Sequence, residues 1–216
     1  MATRTILVVD DDEDARAYLA MLLSSMGYEV QTAESGEQAL SHLAVPDAPA
    51  VVLLDLLMPG MSGLDLQRWL KDMGHELPII ILTGFGDVKS SVEAMKNGAL
   101  DFIEKPFSDQ QLLALVRRAL DEDQKRRSIY DLFETLTKRE REVLAYVVAG
   151  YTSRKVADAL HLVVFTVENH RANVMRKMRV RVVADLVRLV TTTPGLFARL
   201  PQVDPPPPTD GRGSPE

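Results

Sequence analysis

The sequence predicts an open α/β domain with a doubly wound parallel sheet, followed by a small all-α domain. Three observations predict it. Short apolar runs alternate with helical patterns five times in the first 120 residues. The central runs, Val51-Val52-Leu53-Leu54 and Ile79-Ile80-Ile81-Leu82, have no polar face, as expected for strands covered on both sides. Beyond residue 136 the periodicity is helical only.

Ile6-Leu7-Val8-Val9 is the first strand, and Asp10-Asp11-Asp12-Glu13-Asp14 follows at once. Asp12, Glu13 and Asp14 suit a helix start, where the backbone dipole favours negative charge. Asp10 and Asp11 are not explained this way, because they touch the end of an apolar strand. The first helix runs to about Met26, with Leu19, Leu22, Leu23 and Met26 at helical spacing, and Gly27 stops it. Residues 29–33 are the second strand and 36–43 the second helix. Residues 51–55 are the third strand, closed by Pro59-Gly60-Met61-Ser62-Gly63, with a third helix over 64–73. Residues 78–82 form the fourth strand, ending at Thr83-Gly84, with a fourth helix over 88–96. Residues 101–104 are a weak fifth strand, followed by Lys105-Pro106-Phe107 and a fifth helix over 109–120. Five strand–helix units in this length match a flavodoxin-like, five-stranded parallel sheet with helices on both faces. No Gly-x-Gly-x-x-Gly and no Walker A pattern follows the first strand, so a dinucleotide or P-loop site has no motif behind it.

Composition narrows the classes. The absence of Cys excludes disulfides, thiolate metal sites and a thiol nucleophile. No apolar run reaches the length of a membrane span and no signal-peptide core opens the chain, so a soluble, cytoplasmic protein without membrane contact is expected. The net charge of −6 is unevenly spread. Residues 1–127 hold 12 Lys/Arg against 21 Asp/Glu, whereas residues 128–200 hold 12 against 7. An acidic first part and a basic second part suggest different partners, the second one an acidic polymer.

The strand ends carry the chemistry. Asp10 and Asp11 follow strand one, Asp55 ends strand three, Thr83 follows strand four and Lys105 follows strand five. Parallel strands end on one edge of the sheet, where ligands bind in open α/β folds. Three carboxylates there repel one another unless a cation sits among them. With oxygen donors only, the cation is a hard one, Mg²⁺. A lysine and a hydroxyl beside it would contact an anion, which makes a phosphoryl-transfer constellation.

Residues 5–120 resemble the receiver domain of two-component response regulators. The resemblance rests on Val9-Asp10-Asp11, on the run from Asp55 through Leu57-Met58-Pro59-Gly60 to Gly63, on Thr83-Gly84, and on Phe102-Ile103-Glu104-Lys105-Pro106-Phe107. It implies that Asp55 takes a phosphoryl group from a phosphohistidine on a sensor histidine kinase. It implies that Asp11, Asp55 and the backbone carbonyl of Leu57 bind Mg²⁺, with Asp10 helping mostly through water. It also implies that Lys105 pairs with the phosphoryl oxygens, that the Lys105–Pro106 bond is cis, and that Thr83 and Phe102 form a switch. In that switch Thr83 moves to the phosphoryl group and Phe102 fills the space it leaves. A homodimer formed on phosphorylation through helix four and strand five is the family expectation.

Residues 121–135 are expected to be a charged linker that extends the fifth helix, with i,i+4 pairs Asp121–Lys125 and Glu122–Arg126. Residues 136–192 form the second domain. Thr137 with Glu140 three positions on is a capping box. Four short helices follow, over 138–149, 153–160, 166–178 and 183–191, and a tight middle turn fits a helix-turn-helix. The third helix opens with Thr166 and carries Glu168, Asn169, His170, Arg171, Asn173, Arg176 and Lys177. Asn and Arg pair with adenine and guanine edges in the major groove of double-stranded DNA. Arg176, Lys177, Arg179 and Arg181 suit phosphates. The bland alternative is an amphipathic helix with a solvated basic face.

Residues 136–190 resemble the LuxR/FixJ-type output domain. The resemblance rests on Leu136-Thr137-Lys138-Arg139-Glu140, Gly150, Val156-Ala157, Thr166-Val167-Glu168-Asn169-His170-Arg171 and Leu186-Val187-Arg188-Leu189. It implies a phosphorylation-activated transcription regulator. The chain departs from the family at Val163, Phe165 and Val182, where polar residues are usual. Leu162-Val163-Val164-Phe165 is an apolar run where a polar turn should meet DNA, so a dimer or receiver contact is a rival use. That rival makes the protein a phosphorylation-gated interaction module with weakened or lost DNA binding. A small-substrate phosphotransferase is the third class, and it lacks a second base or cap domain. Residues 193–216, with Pro205-Pro206-Pro207-Pro208, are expected to be an extended or disordered tail.

Overall fold

The computed structural model describes residues 4–43, 49–84, 88–193 and 195–203. The chain divides into two compact units, Met1–Lys125 and Arg126–Glu216.

The first unit is a five-stranded parallel sheet of β1 (Thr5–Val9), β2 (Glu29–Ala33), β3 (Val51–Asp55), β4 (Ile79–Thr83) and β5 (Asp101–Glu104). Their order is β2-β1-β3-β4-β5. The helices between and after them are α1 (Glu13–Ser25), α2 (Gly36–Leu43), α3 (Gly63–Asp72), α4 (Val88–Lys96) and α5 (Asp109–Glu134). Alternation along β1 shows why both faces are covered. Ile6 and Val8 pack with Leu19 and Leu23 of α1 and with Leu112 and Val116 of α5. Leu7 and Val9 point the other way, toward Leu43 of α2, Leu66 and Leu70 of α3 and Ala94 of α4. Every residue of β3 and β4 is buried, which is why their sequences read as unbroken apolar runs.

The chain leaves β1 in opposite directions, since β1 pairs with β2 on one side and β3 on the other. A crevice opens at their carboxyl ends, the topological switch point of such sheets. The register puts Val9 beside Leu54, Asp55 beside Leu82, and Thr83 beside Glu104. Asp10 and Asp55 therefore emerge at one level, Thr83 one residue beyond it and Lys105 two.

Helix α5 runs unbroken for 26 residues through the charged run. Within it Lys125 Nζ lies 2.9 Å from Glu122, three residues back along the helix.

The second unit contains α6 (Lys138–Val148), α7 (Ser153–Leu160), α8 (Val164–Lys177) and α9 (Val183–Thr192). Thr137 and Glu140 make the capping box in both directions. The core joins Val143 and Leu144 of α6, Val156 of α7, Val167 and Val174 of α8, and Leu186 and Val190 of α9, with Phe133 of α5. Two outcomes differ from the sequence reading. Helix α8 begins at Val164, not Thr166, and its N-cap, Val163, makes no side-chain hydrogen bond. In place of a side-chain acceptor, the N–H groups of Thr166 and Val167 share the Val163 carbonyl at 3.0 and 3.3 Å.

A stretch assigned to the extended tail also belongs to the fold. Residues 195–203 pack on the second unit, where Leu196 and Leu200 are buried in the core and Phe197–Arg199 form a 3-10 turn. Arg199 lies 4.4 Å from the Tyr130 ring centroid. Apolar anchors at this spacing were enough to hold a segment that its Pro-rich continuation made look unstructured. Residues 204–216, with Pro205–Pro208, lie outside the described residues.

Candidate functional site

The site is the carboxyl edge of the sheet. Asp10 is fully buried where β1 ends. One of its oxygens accepts the Asp12 N–H at 3.0 Å, and its carbonyl accepts from Arg16 at 2.7 Å. Asp12 in turn caps α1, accepting from Asp14 and Ala15. The acidic run therefore splits by role, with Asp12 capping the start of the helix and Asp10 turned into the crevice. Asp55 is 8% exposed at the end of β3. One carboxylate oxygen from each of Asp10, Asp11 and Asp55 lies within 4.8 Å of the other two.

Lys105 reaches across from the end of β5. Its Nζ lies 2.7 Å from Asp10 and 3.2 Å from Asp55. The Lys105–Pro106 bond is cis, as the resemblance implied. Burial pushes the Asp55 carboxyl up, the nearby Asp10 charge pushes it further, and Lys105 only partly offsets them, so its pKa lies above the usual 3.8. Burial acts to lower the Lys105 pKa, but the hydrogen bond to Asp10 and the two carboxylate charges outweigh it, and the net shift is upward. Lys105 is thus held as a cation, and Asp55 sits where added compensation for its charge would be welcome.

The acidic cluster fits a Mg²⁺ ion on chemical grounds. Its donors are all carboxylate oxygens, they converge, and one of them, Asp11, is open to solvent, leaving room for the waters that Mg²⁺ retains. Leu57 lies two residues past Asp55, with its N–H 3.5 Å from an Asp55 oxygen and its side chain exposed.

Thr83 is buried at the end of β4. Its hydroxyl donates to the Gly84 carbonyl at 3.3 Å and accepts from Ser91 of α4 at 3.4 Å. Phe102 on β5 is 46% exposed. The two border a groove of about 380 Å³ between α4 and β5, lined also by Ser91, Val92 and Met95. Thr83 and Phe102 therefore share one space, as a paired switch requires.

Gly63 carries a function that the sequence showed only as a turn residue. A Cβ there would stand 2.2 Å from the Asp55 carbonyl oxygen and 2.9 Å from Leu56 Cα. Its N–H donates to the Leu56 carbonyl at 3.2 Å. The start of α3 is thereby pressed against the backbone that carries Asp55. Gly63→Ala is expected to destabilise the first unit by about 2 kcal/mol, because backbone cannot yield as a flexible side chain does. Thermal melts check this, and an unchanged melting temperature would mean that the contact is relieved elsewhere. Glu37 is a second addition: it accepts the Met61 N–H at 3.1 Å and steadies the same loop.

In the second unit, α8 turns Val167 and Val174 inward. Glu168, Asn169 and Arg176 are exposed, while Thr166, His170, Arg171, Asn173 and Lys177 are half-buried. Arg171 donates to Ser153 Oγ of α7 at 3.1 Å, and Arg176 to Asn173 at 3.2 Å. Lys177 differs from its expected place at a DNA phosphate. Its Nζ lies 2.6 Å from the buried Glu140 and donates to the Thr135 carbonyl at 3.0 Å. A buried carboxylate needs a cation more than the surface does, so Lys177 is held inside its own domain.

Among the described residues, no helix is long and apolar enough to cross a membrane. Residues 6–117 match the family described as "Response regulator receiver domain", and residues 134–190 match "Bacterial regulatory proteins, luxR family". Nodulation protein W of Bradyrhizobium diazoefficiens is 42% identical over 194 residues, spanning 87% of this chain and 85% of that protein. Transcriptional regulatory protein FixJ of Rhizobium meliloti is 41% identical over 197 residues, spanning 88% and 96%. The solved structure of the response regulator StyR aligns with a TM-score of 0.56 at 38% identity, covering 88% of this chain and 99% of that one.

Proposed function

The chain belongs to the response regulators, joining a receiver domain to a LuxR-type DNA-binding domain, and from that premise we propose that phosphorylation of Asp55 by a sensor histidine kinase switches its binding to double-stranded DNA. The observation that carries this reading is Lys105 bridging Asp10 and Asp55 beside a third acid.

In the proposed transfer an Asp55 oxygen attacks the phosphorus of a phosphohistidine. A P–O bond forms as the P–N bond breaks, and its electron pair returns to the imidazole nitrogen, which takes up a proton. Asp10, Asp11, Asp55 and the Leu57 carbonyl are the groups that would hold Mg²⁺, which when bound neutralises charge on the acids and the phosphoryl oxygens. Lys105 leaves its Asp55 contact for a phosphoryl oxygen while Asp10 keeps hold of it. Thr83 exchanges its weak bond to Gly84 for a phosphoryl oxygen. The phosphoryl group brings nearly two negative charges to a spot with these donors around it. The movement of Thr83 vacates part of the α4–β5 groove, which Phe102 can enter. That changes the α4–β5 face, through which a homodimer forms and brings two α8 helices to a two-fold DNA site. Glu168, Asn169, His170, Arg171 and Asn173 face the bases, with Thr166 and Arg176 nearer the backbone.

The test is DNA selection followed by salt-titrated affinity, with and without acetyl phosphate and Mg²⁺. Acetyl phosphate is expected to tighten binding at least tenfold. The affinity should also fall steeply with salt, as phosphate contacts require. Affinity that is flat in salt, or indifferent to acetyl phosphate, would sink the reading.

A further inference from the structure

The first turn of α8 and its N-cap expose apolar side chains in succession. Phe165 is 72% exposed and Val163 67%. A phenyl ring held in water contributes nothing to the stability of this domain, so its position asks for an occupant. We propose that Phe165, supported by Val163, reads thymine methyl groups in the major groove and thereby sets the base preference of this protein. The proposal rests on the DNA-binding reading above and deepens it.

Placement on the helix favours DNA over a protein partner. Phe165, Asn169, Ala172 and Arg176 are all exposed and follow one another at steps of four, three and four. They form one stripe opposite Val167 and Val174. The exposed apolar residues, Val163, Val164 and Phe165, are confined to one turn, and the stripe passes from Phe165 directly to an amide and a cation. A protein contact would call for a wider apolar patch. The surroundings carry positive charge: Arg154, Lys155, Arg176, Arg179 and Arg181 are exposed in the same unit. A recognition helix presents its N-terminal residues to base edges. The major-groove edge of thymine alone among the four bases carries a methyl group, and apolar side chains contact it. Phe165 and Asn169 are four residues apart, a rise of about 6 Å. That distance spans about two base steps. If Asn169 pairs with an adenine, the thymine met by Phe165 lies within about two base pairs of it.

The test starts from the DNA site selected by the full chain in acetyl phosphate and Mg²⁺. Each thymine is replaced in turn by deoxyuridine, which removes only the methyl group. One or two positions are expected to lose about fourfold in affinity, the effect of one buried carbon. Phe165→Ala should bind the unmodified site roughly tenfold more weakly. It should be indifferent to uracil at those positions and keep the wild-type salt slope, since no phosphate contact is removed. An unchanged circular dichroism melt confirms that this exposed substitution leaves the fold intact. If salt-dependent, sequence-specific binding persists but uracil is neutral everywhere, this proposal falls and the proposed function stands. If no sequence-specific binding is found, both fall. If Phe165→Ala leaves DNA affinity alone but lowers the sedimenting mass, the ring is a protein contact and the proposal is overturned.

Discussion

Asp55→Asn is expected to abolish labelling by acetyl phosphate completely while raising the melting temperature of the first unit. Loss of labelling follows from loss of the nucleophilic oxygen. The gain in stability follows from the cluster. At an effective dielectric of 20, two like charges no more than 4.8 Å apart repel by about 3.5 kcal/mol or more, and Lys105 at 3.2 Å attracts by about 5 kcal/mol. Burial penalises the Asp55 charge and Asp10 repels it. The balance is unfavourable to the charge, which is why the folded pKa lies above 3.8. Lys105 is not orphaned by the substitution, since Asp10 holds it at the shorter distance. A gain of about 1 kcal/mol, or roughly 4 °C, is expected at neutral pH. A group whose folded pKa is raised lends stability at low pH and loses it as pH rises through that value. The advantage of Asn should therefore appear as pH climbs above 3.8 and vanish in acid. A melting temperature at pH 7 equal to or below wild type would contradict this electrostatic account.

Lys177→Met is expected to cost the second unit about 3 kcal/mol, the low end for breaking a buried pair, because the Lys177 side chain is 23% exposed while Glu140 is 5%. For a unit of this size the loss corresponds to roughly 15 °C. Glu140 would be left charged and buried, with Thr137 still bonded to it through its N–H and side chain. Burial pushes the Glu140 pKa up, but the bonds from Lys177 and Thr137 outweigh it and the net shift is downward from 4.5. The pair's contribution is therefore complete above about pH 4.5 and is lost as pH falls through the lowered folded value. Adding Glu140→Gln to Lys177→Met should restore most of the loss, because Gln keeps the capping box and removes the charge. A phosphate-contacting lysine would behave otherwise: its removal would lower the salt slope of DNA binding by about one and leave the melt alone. An unchanged melt with a shallower slope would return Lys177 to the DNA.

Most of the first unit was legible because its strands announce themselves. β3 and β4 are buried on both faces, so hydrophobicity alone marks them, and a polar residue at the end of such a run has one place to go. Asp55 and Thr83 were found in that way, while Lys105 follows a weak, half-exposed strand and was marked by its place in the alternation of strands and helices. The helix-turn-helix was legible from its capping box and inward valines. Gly63 was read as punctuation because a missing Cβ reveals nothing about what backbone stands beside it.

Hydrophobic spacing and the polar residues that interrupt it set the elements, their order and the residues at the sheet edge, because these depend on neighbours a few positions away. Tertiary structure alone decided which charges pair, since Lys105 meets Asp10 across 95 positions and Lys177 meets Glu140 across 37. It also decided that residues 195–203 close the second unit and that Phe165 faces solvent. Those outcomes depend on which buried group lacks a counter-charge and which surface is already covered, and that is settled only when distant parts of the chain are brought together.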